Sequence, residues 1–186
     1  LAKILEKMKS TEEASLERNI ALAYHFKEAG RYVEELEYNI EILNYYLNFA
    51  HELFPVLGIR GDNMDNQMRI SQEEAIRMLK ELKEDLDKFK DSENYESIQY
   101  LDLKLSYMRG RYLIRGGNYE DGLEEIKYVI KRSIILEEND YEINGYKQMI
   151  FYNIQRNNPQ EMIKYIDKAL ELAVKCNYHL EIGMFL

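Results

Sequence analysis

Apolar residues recur at alternating spacings of three and four along most of the chain. Leu36, Ile40, Leu43, Leu47, Ala50 and Phe54 make one such stripe; Ala75, Leu79, Leu82, Leu86 and Phe89 make another. This period places the apolar side chains on one face of an α-helix and the intervening charges on the other. No stretch reads convincingly as a strand. The breaks between stripes carry the chemistry of helix ends. Ser10 stands three before Glu13 and Ser71 three before Glu74, the spacing of a capping box. Gly30 and Gly116–Gly117 each follow a helical run, where glycine accommodates the positive φ of a C-terminal cap. Asn118 and Asn158 stand at N-cap positions, and Pro159 at a first helical position, where its missing N–H costs nothing. The signals predict a helix to Ala29, a second to Phe54, and an irregular stretch from Pro55 to Ser71. Beyond it they predict helices over 72–89, 93–115, 118–138, 141–156 and 159–176, and a last one from about Tyr178.

Three helix–turn–helix units superimpose on their turns: "FKEAGRYVEEL", "LIRGGNYEDGL" and "NIQRNNPQEMI". Gly30 and Gly117 align with Asn157, and Tyr32 and Tyr119 with Pro159. The pattern resembles the tetratricopeptide repeat. On that resemblance Leu22, Ala23 and Phe26 pack the first helix of a hairpin onto the second, where Tyr32 and Leu36 begin. Gly110 and Gly122 take the two small-residue positions where helices cross closely, Leu113 an aromatic slot, Tyr146 a bulky early position and Ala169 a small late one. Glu35, Ile150 and Met162 depart from the small residues of the family, and Asn153 from an aromatic. The interval from Gly117 to Asn157 exceeds the usual 34-residue period. The fold class implied is all-α, a right-handed α-solenoid of irregular tetratricopeptide-like hairpins. It makes 1–186 one helical-repeat domain, with a first hairpin region over 1–54, an insertion over 55–71 and further hairpins over 72–186.

A second resemblance covers Ile20 to Gly58. "LAYHFKEAGRYVEELEY" looks like the stretch that follows the nucleotide-binding core in bacterial STAND-class (MalT-like) regulatory ATPases and transcriptional regulators. In that family a helical-repeat region senses an inducer or partner. The start at Leu1 and the end in "YHLEIGMFL" agree with a fragment of a longer chain.

Composition narrows the function. The net charge of −9 makes free nucleic acid and anionic membrane poor partners, and disfavours an RNA-binding helical array. A single cysteine, Cys176, excludes an internal disulfide and suits a reducing cytoplasm. No apolar run approaches the roughly 20 residues of a membrane helix. Catalytic motifs fail one by one. "HELFP" begins like a zinc-protease helix at His51–Glu52, but the second histidine would fall at Pro55. His25 and His179 lack partners at ligand spacing. No glycine-rich loop ends in Lys-Ser or Lys-Thr. The acids of "GDNMDN" (61–66) do not alternate as a calcium loop requires. Glu12–Glu13, Glu34–Glu35 and Glu124–Glu125 read as solvated helix faces, Arg60–Asp62 as a chance tripeptide, and Cys176 as a packing residue. No catalytic residue, metal site or cofactor is expected.

What remains is surface. In tetratricopeptide arrays the first helix of each hairpin lines the inner groove. Carried over by position, the groove comprises Tyr24 and Lys27, then Lys104, Tyr107, Arg111 and Arg115, then Lys147 and Phe151. Lys104, Tyr107, Arg111 and Arg115 share one helical face whatever the family. Cations among aromatics in an acidic chain suit an acidic peptide, a carboxylate or another domain of the same chain. The competing reading is ordinary helix-surface charge with tyrosines partly in the core. The expected function is a non-catalytic protein-interaction or ligand-sensing module of a bacterial regulator; a free-standing repeat scaffold or peptide receptor is the alternative. The apolar stretches "LAKILEKM" and "HLEIGMFL" predict self-association through uncapped ends. The stripe after Ser71 has the spacing of a dimer seam, although one that short more often packs internally.

Overall fold

The computed structural model of the protein describes residues 12–47, 70–90 and 95–186. All regular structure among them is helical: α1 (Glu12–Glu28), α2 (Tyr32–Leu47), α3 (Gln72–Asp87), α4 (Tyr95–Arg115), α5 (Tyr119–Leu136), α6 (Asn139–Gln155), α7 (Pro159–Cys176) and α8 (His179–Phe185). The expected capping box at Ser10, the stripe positions Ala50 and Phe54, and the stretch from Pro55 to Arg69 lie outside the described residues. The chain divides into two compact units, Leu1–Leu105 and Ser106–Leu186, with the division inside α4.

In the first unit α1 and α2 form a hairpin. Leu22, Ala23 and Phe26 of α1, expected on the repeat resemblance, and Leu36, Ile40, Leu43 and Leu47 of α2, marked by their spacing, are buried. Phe26 stacks on Tyr38 with ring centroids 5.6 Å apart and planes 5° from parallel. Helix α3 packs on α2 and buries Ala75, Leu79, Leu82 and Leu86. Its N-terminus is capped as Ser71 and Glu74 predicted: the Ser71 Oγ accepts from the Glu74 N–H at 3.2 Å. Two ion pairs add direction. Lys83 of α3 meets Asp102 of α4, and Lys104 of α4 meets Glu41 of α2. Each fully buried leucine or isoleucine contributes about 1.5–3 kcal/mol, and an ion pair near the surface about 0–1 kcal/mol. The stripes therefore hold this unit together, and the ion pairs select its register.

In the second unit the helix ends repeat. Gly117, Glu137, Asn157 and Asn177 all have positive φ, at intervals of twenty residues. At each, the next residue's N–H reaches back to a carbonyl five before it: Asn118 to Leu113, Glu138 to Ser133, Asn158 to Asn153 and Tyr178 to Ala173, all at 2.9 Å. The positive-φ residue itself donates to the carbonyl three before it. This pair of bonds satisfies carbonyls that a helix end leaves without partners. Gly30 ends α1 identically, with Arg31 donating to Phe26 at 2.9 Å. Two helices therefore recur every forty residues, longer than the tetratricopeptide period.

Within this frame α4 and α5 cross closely. A Cβ on Gly122 would lie 2.9 Å from the Gly110 carbonyl oxygen and 2.9 Å from the Ile114 nitrogen. One on Gly110 would lie 2.8 Å from the Ile126 Cδ1. Forty residues on, Ile150 and Met162 occupy the corresponding places, where Ile150 is buried and Met162 half-buried. Asn153 is buried where an aromatic was expected, and its amide donates to the Met149 carbonyl at 2.7 Å. Ile114, Ile126 and Met149 form a core cluster flanked by Tyr107, Leu123, Ile130 and Tyr165.

Two expectations about helix ends need correction. The break before α6 lies at Glu137, and α6 begins at Asn139, so the turn is earlier and shorter than Glu138–Asp140. Asn118 makes no side-chain cap; its Nδ2 donates to the Asp121 carboxylate at 2.8 Å. Asn158 does cap α7, accepting from the Glu161 N–H at 3.4 Å, with Pro159 at the helix start.

Candidate binding surface

Each expected groove residue has a definite setting. In the first unit Tyr24 is exposed and carries His25 edge-on at 5.5 Å between ring centroids. Lys27 is exposed and reaches Glu35 at 3.8 Å. Lys104 is largely buried and committed to Glu41.

The other five lie in the second unit, on α4 and α6. Tyr107 of α4 meets Tyr141 of α6 edge to face, 5.8 Å between centroids at 80°. Lys147 of α6 meets Glu181 of α8 at 2.9 Å. Both contacts link residues 34 apart, and their members, 107 with 147 and 141 with 181, stand one forty-residue period apart. The same packing position is therefore filled by two aromatic rings in one register and by an ion pair in the next. Tyr107 and Lys147 consequently join successive hairpins, and Phe151 is half-buried on α6.

Arg111 is half-buried, with its guanidinium carbon 5.2 Å from the Tyr107 ring centroid. Arg115 is exposed, its guanidinium carbon also 5.2 Å from a ring, that of Tyr112. Tyr112 was not among the expected residues, although its place three before Arg115 on a helix was the available signal. Burial pushes the Tyr112 hydroxyl above its ordinary pKa, against the pull of Arg115. Arg109 belongs elsewhere, because it pairs with Glu125 of α5 at 3.0 Å. Glu125 is thus an inter-helix partner, and the expectation that Glu124–Glu125 is only a solvated face holds for Glu124 alone.

Away from the strip, the Tyr178 hydroxyl donates to Asp140 at 2.6 Å, a bond that pushes its pKa up to about 12. Tyr146 is buried and donates to Glu142 at 2.9 Å; burial first and that carboxylate second raise its pKa further. Cys176 is half-buried at the end of α7. Among the described residues no cluster of histidine, cysteine or acidic side chains could hold a metal ion, and no helix is long and apolar enough to cross a membrane.

Comparison with protein-family models, with curated proteins and with solved structures gives no match in any of the three.

Proposed function

We propose that the chain is a non-catalytic protein-interaction module, and that Arg111, Arg115 and Phe151 belong to a face that takes an acidic segment of a partner. In this reading residues 106–186 are a short right-handed solenoid of tetratricopeptide-like hairpins. The observation that carries it is the recurrence of one helix ending every twenty residues, together with one inter-hairpin packing position that recurs after forty. A repeat stacked in this way exposes the same face of successive helices as a continuous surface. On α4 that face carries two arginines in a chain of net charge −9, which favours an acidic partner over a basic one. The resemblance of Ile20 to Gly58 to bacterial regulatory ATPases suggests the sensor or interaction part of such a regulator, where the partner could be another domain of the same polypeptide.

Fluorescence anisotropy with a labelled polyglutamate peptide tests the reading. The protein should bind it with an affinity that falls as salt rises. The double variant Arg111→Glu, Arg115→Glu should lose that binding and keep its melting transition, since near-surface charges contribute only about 0–1 kcal/mol each. Equal binding by both proteins, or none by the unmodified chain, would refute it.

A further inference from the structure

We infer that the outward faces of α5 and α7 form a self-complementary surface for a second copy of this chain, with α5 of each copy laid along α7 of the other. Burial of Gly122, Ile126, Val129 and Ser133 fixes the inner side of α5, and burial of Ala169, Leu172 and Ala173 that of α7. On the opposite side of α5 stand Lys127, Lys131 and Ile134, at steps of four and three and all exposed. One forty-residue period on, the same places of α7 hold Asp167, Glu171 and Val174, also exposed. The first two places thus carry opposite charges on the two helices, and the third a β-branched apolar side chain on both. Ile134 and Val174 are each more than half exposed. One turn earlier the reversal continues, with Glu124 on α5 and Lys164 on α7, the latter paired with Glu161 of its own helix.

The order of the charges selects both the occupant and its orientation. Contact of α5 with α5, or of α7 with α7, sets lysine against lysine or acid against acid, which is repulsive. Antiparallel contact of α5 with α7 pairs the two central charges but sets Ile134 on Lys164 and Glu124 on Val174. Parallel contact pairs Lys127 with Asp167, Lys131 with Glu171 and Glu124 with Lys164, and lays Ile134 on Val174. Within one chain α5 and α7 run the same way, because each packs as a hairpin against α6. A two-fold axis parallel to them keeps that direction and exchanges left for right, so both parallel contacts form at once. Each helix has 18 residues. A face of two such helices measures about 27 Å by 20 Å. It would cover on the order of 500 Å² per copy, the size of a weak, reversible complex.

Sedimentation equilibrium of the full chain, from micromolar to millimolar concentration, tests the surface. The unmodified chain should pass from monomer to dimer over this range. Lys127→Glu with Lys131→Glu makes both faces acidic, and Asp167→Lys with Glu171→Lys makes both basic. Each double variant alone should dimerise about a hundredfold more weakly. Its melting transition should stay in place, since exposed charges contribute little to folding. Mixed in equal amounts, the two variants should form a one-to-one heterodimer at concentrations where neither self-associates, because acidic faces then meet basic ones on both helices. Both variants remain net negative, so bulk charge alone cannot produce that rescue. An unmodified chain that stays monomeric throughout would overturn the surface. So would undiminished dimerisation of either variant, which would place the contact elsewhere, or a mixture that fails to associate.

Discussion

Replacing Gly122 with alanine sets two known effects against each other at one atom. In an open helix the change is favourable by about 1 kcal/mol, because alanine loses less conformational freedom than glycine. At Gly122 the added carbon would stand 2.8 Å from the Ile114 Cγ1 and 2.9 Å from each of two backbone atoms of α4. Ordinary contact distances are about 3.5–4.0 Å. Backbone atoms cannot rotate aside, so α5 must move off α4 by several tenths of an ångström. That movement loosens the packing around Ile126, which is fully buried between the helices. Overpacking of this kind costs about 1–3 kcal/mol, and rigid neighbours put this site at the upper end. The net expectation is a loss of about 2 kcal/mol, or roughly 4–8 °C in Tm for a chain of this size. Gly183→Ala is the control, since a Cβ there meets nothing within 4 Å and should be neutral or mildly stabilising. Urea and thermal melts followed by circular dichroism at 222 nm compare the two. If Gly122→Ala is as harmless as Gly183→Ala, the close crossing of α4 and α5 is wrong.

Two further outcomes are expected. Glu137 holds φ +58°, a conformation costing a residue with a Cβ about 1–2 kcal/mol, so Glu137→Gly should raise Tm by roughly 2–4 °C in a thermal melt. Tyr112, Tyr146, Tyr165 and Tyr178 all have hydroxyl pKa values above the ordinary 10, so folding favours their protonated forms. Their contribution is fully present below pH 10 and falls away as pH rises towards the folded-state values, because the unfolded chain releases these protons first. Melts between pH 8 and 12 should show a plateau followed by a decline that is shallower in Tyr146→Phe; a flat profile in that alkaline range would contradict the assignment.

The hydrophobic pattern made the helices legible because each stripe answers to local geometry. The crossing glycines Gly110 and Gly122 were legible too, since the tetratricopeptide resemblance assigns small residues to those positions. The forty-residue period was harder to read. Two of its four junctions carry asparagine and one carries glutamate, so glycine marks only Gly117. Glutamate is a poor signal for a left-handed residue, and the turn at Glu137 was accordingly displaced towards Asp140. At the surface, the shared face of Lys104, Tyr107, Arg111 and Arg115 was readable from spacing, whereas their place in a groove came from the tetratricopeptide resemblance. The commitments of Lys104 to Glu41 and of Lys147 to Glu181 were not readable, because their partners lie 63 and 34 residues away. No local pattern names which distant carboxylate a lysine will meet.

The identical helix endings of the second unit separate two kinds of information. Any junction could replace any other as far as its backbone hydrogen bonds are concerned, so removing or duplicating one forty-residue block leaves every ending intact. A single inserted residue inside a helix instead turns everything beyond it by about 100° and misdirects the next contact. Within the second unit, a change of length therefore keeps the contacts in step only when it comes in whole blocks. The blocks are nevertheless not interchangeable, because Tyr107 would meet Glu181 in place of Tyr141 if the one between them were lost. The backbone sets the step, and the side chains act as an address that fixes the order of the blocks.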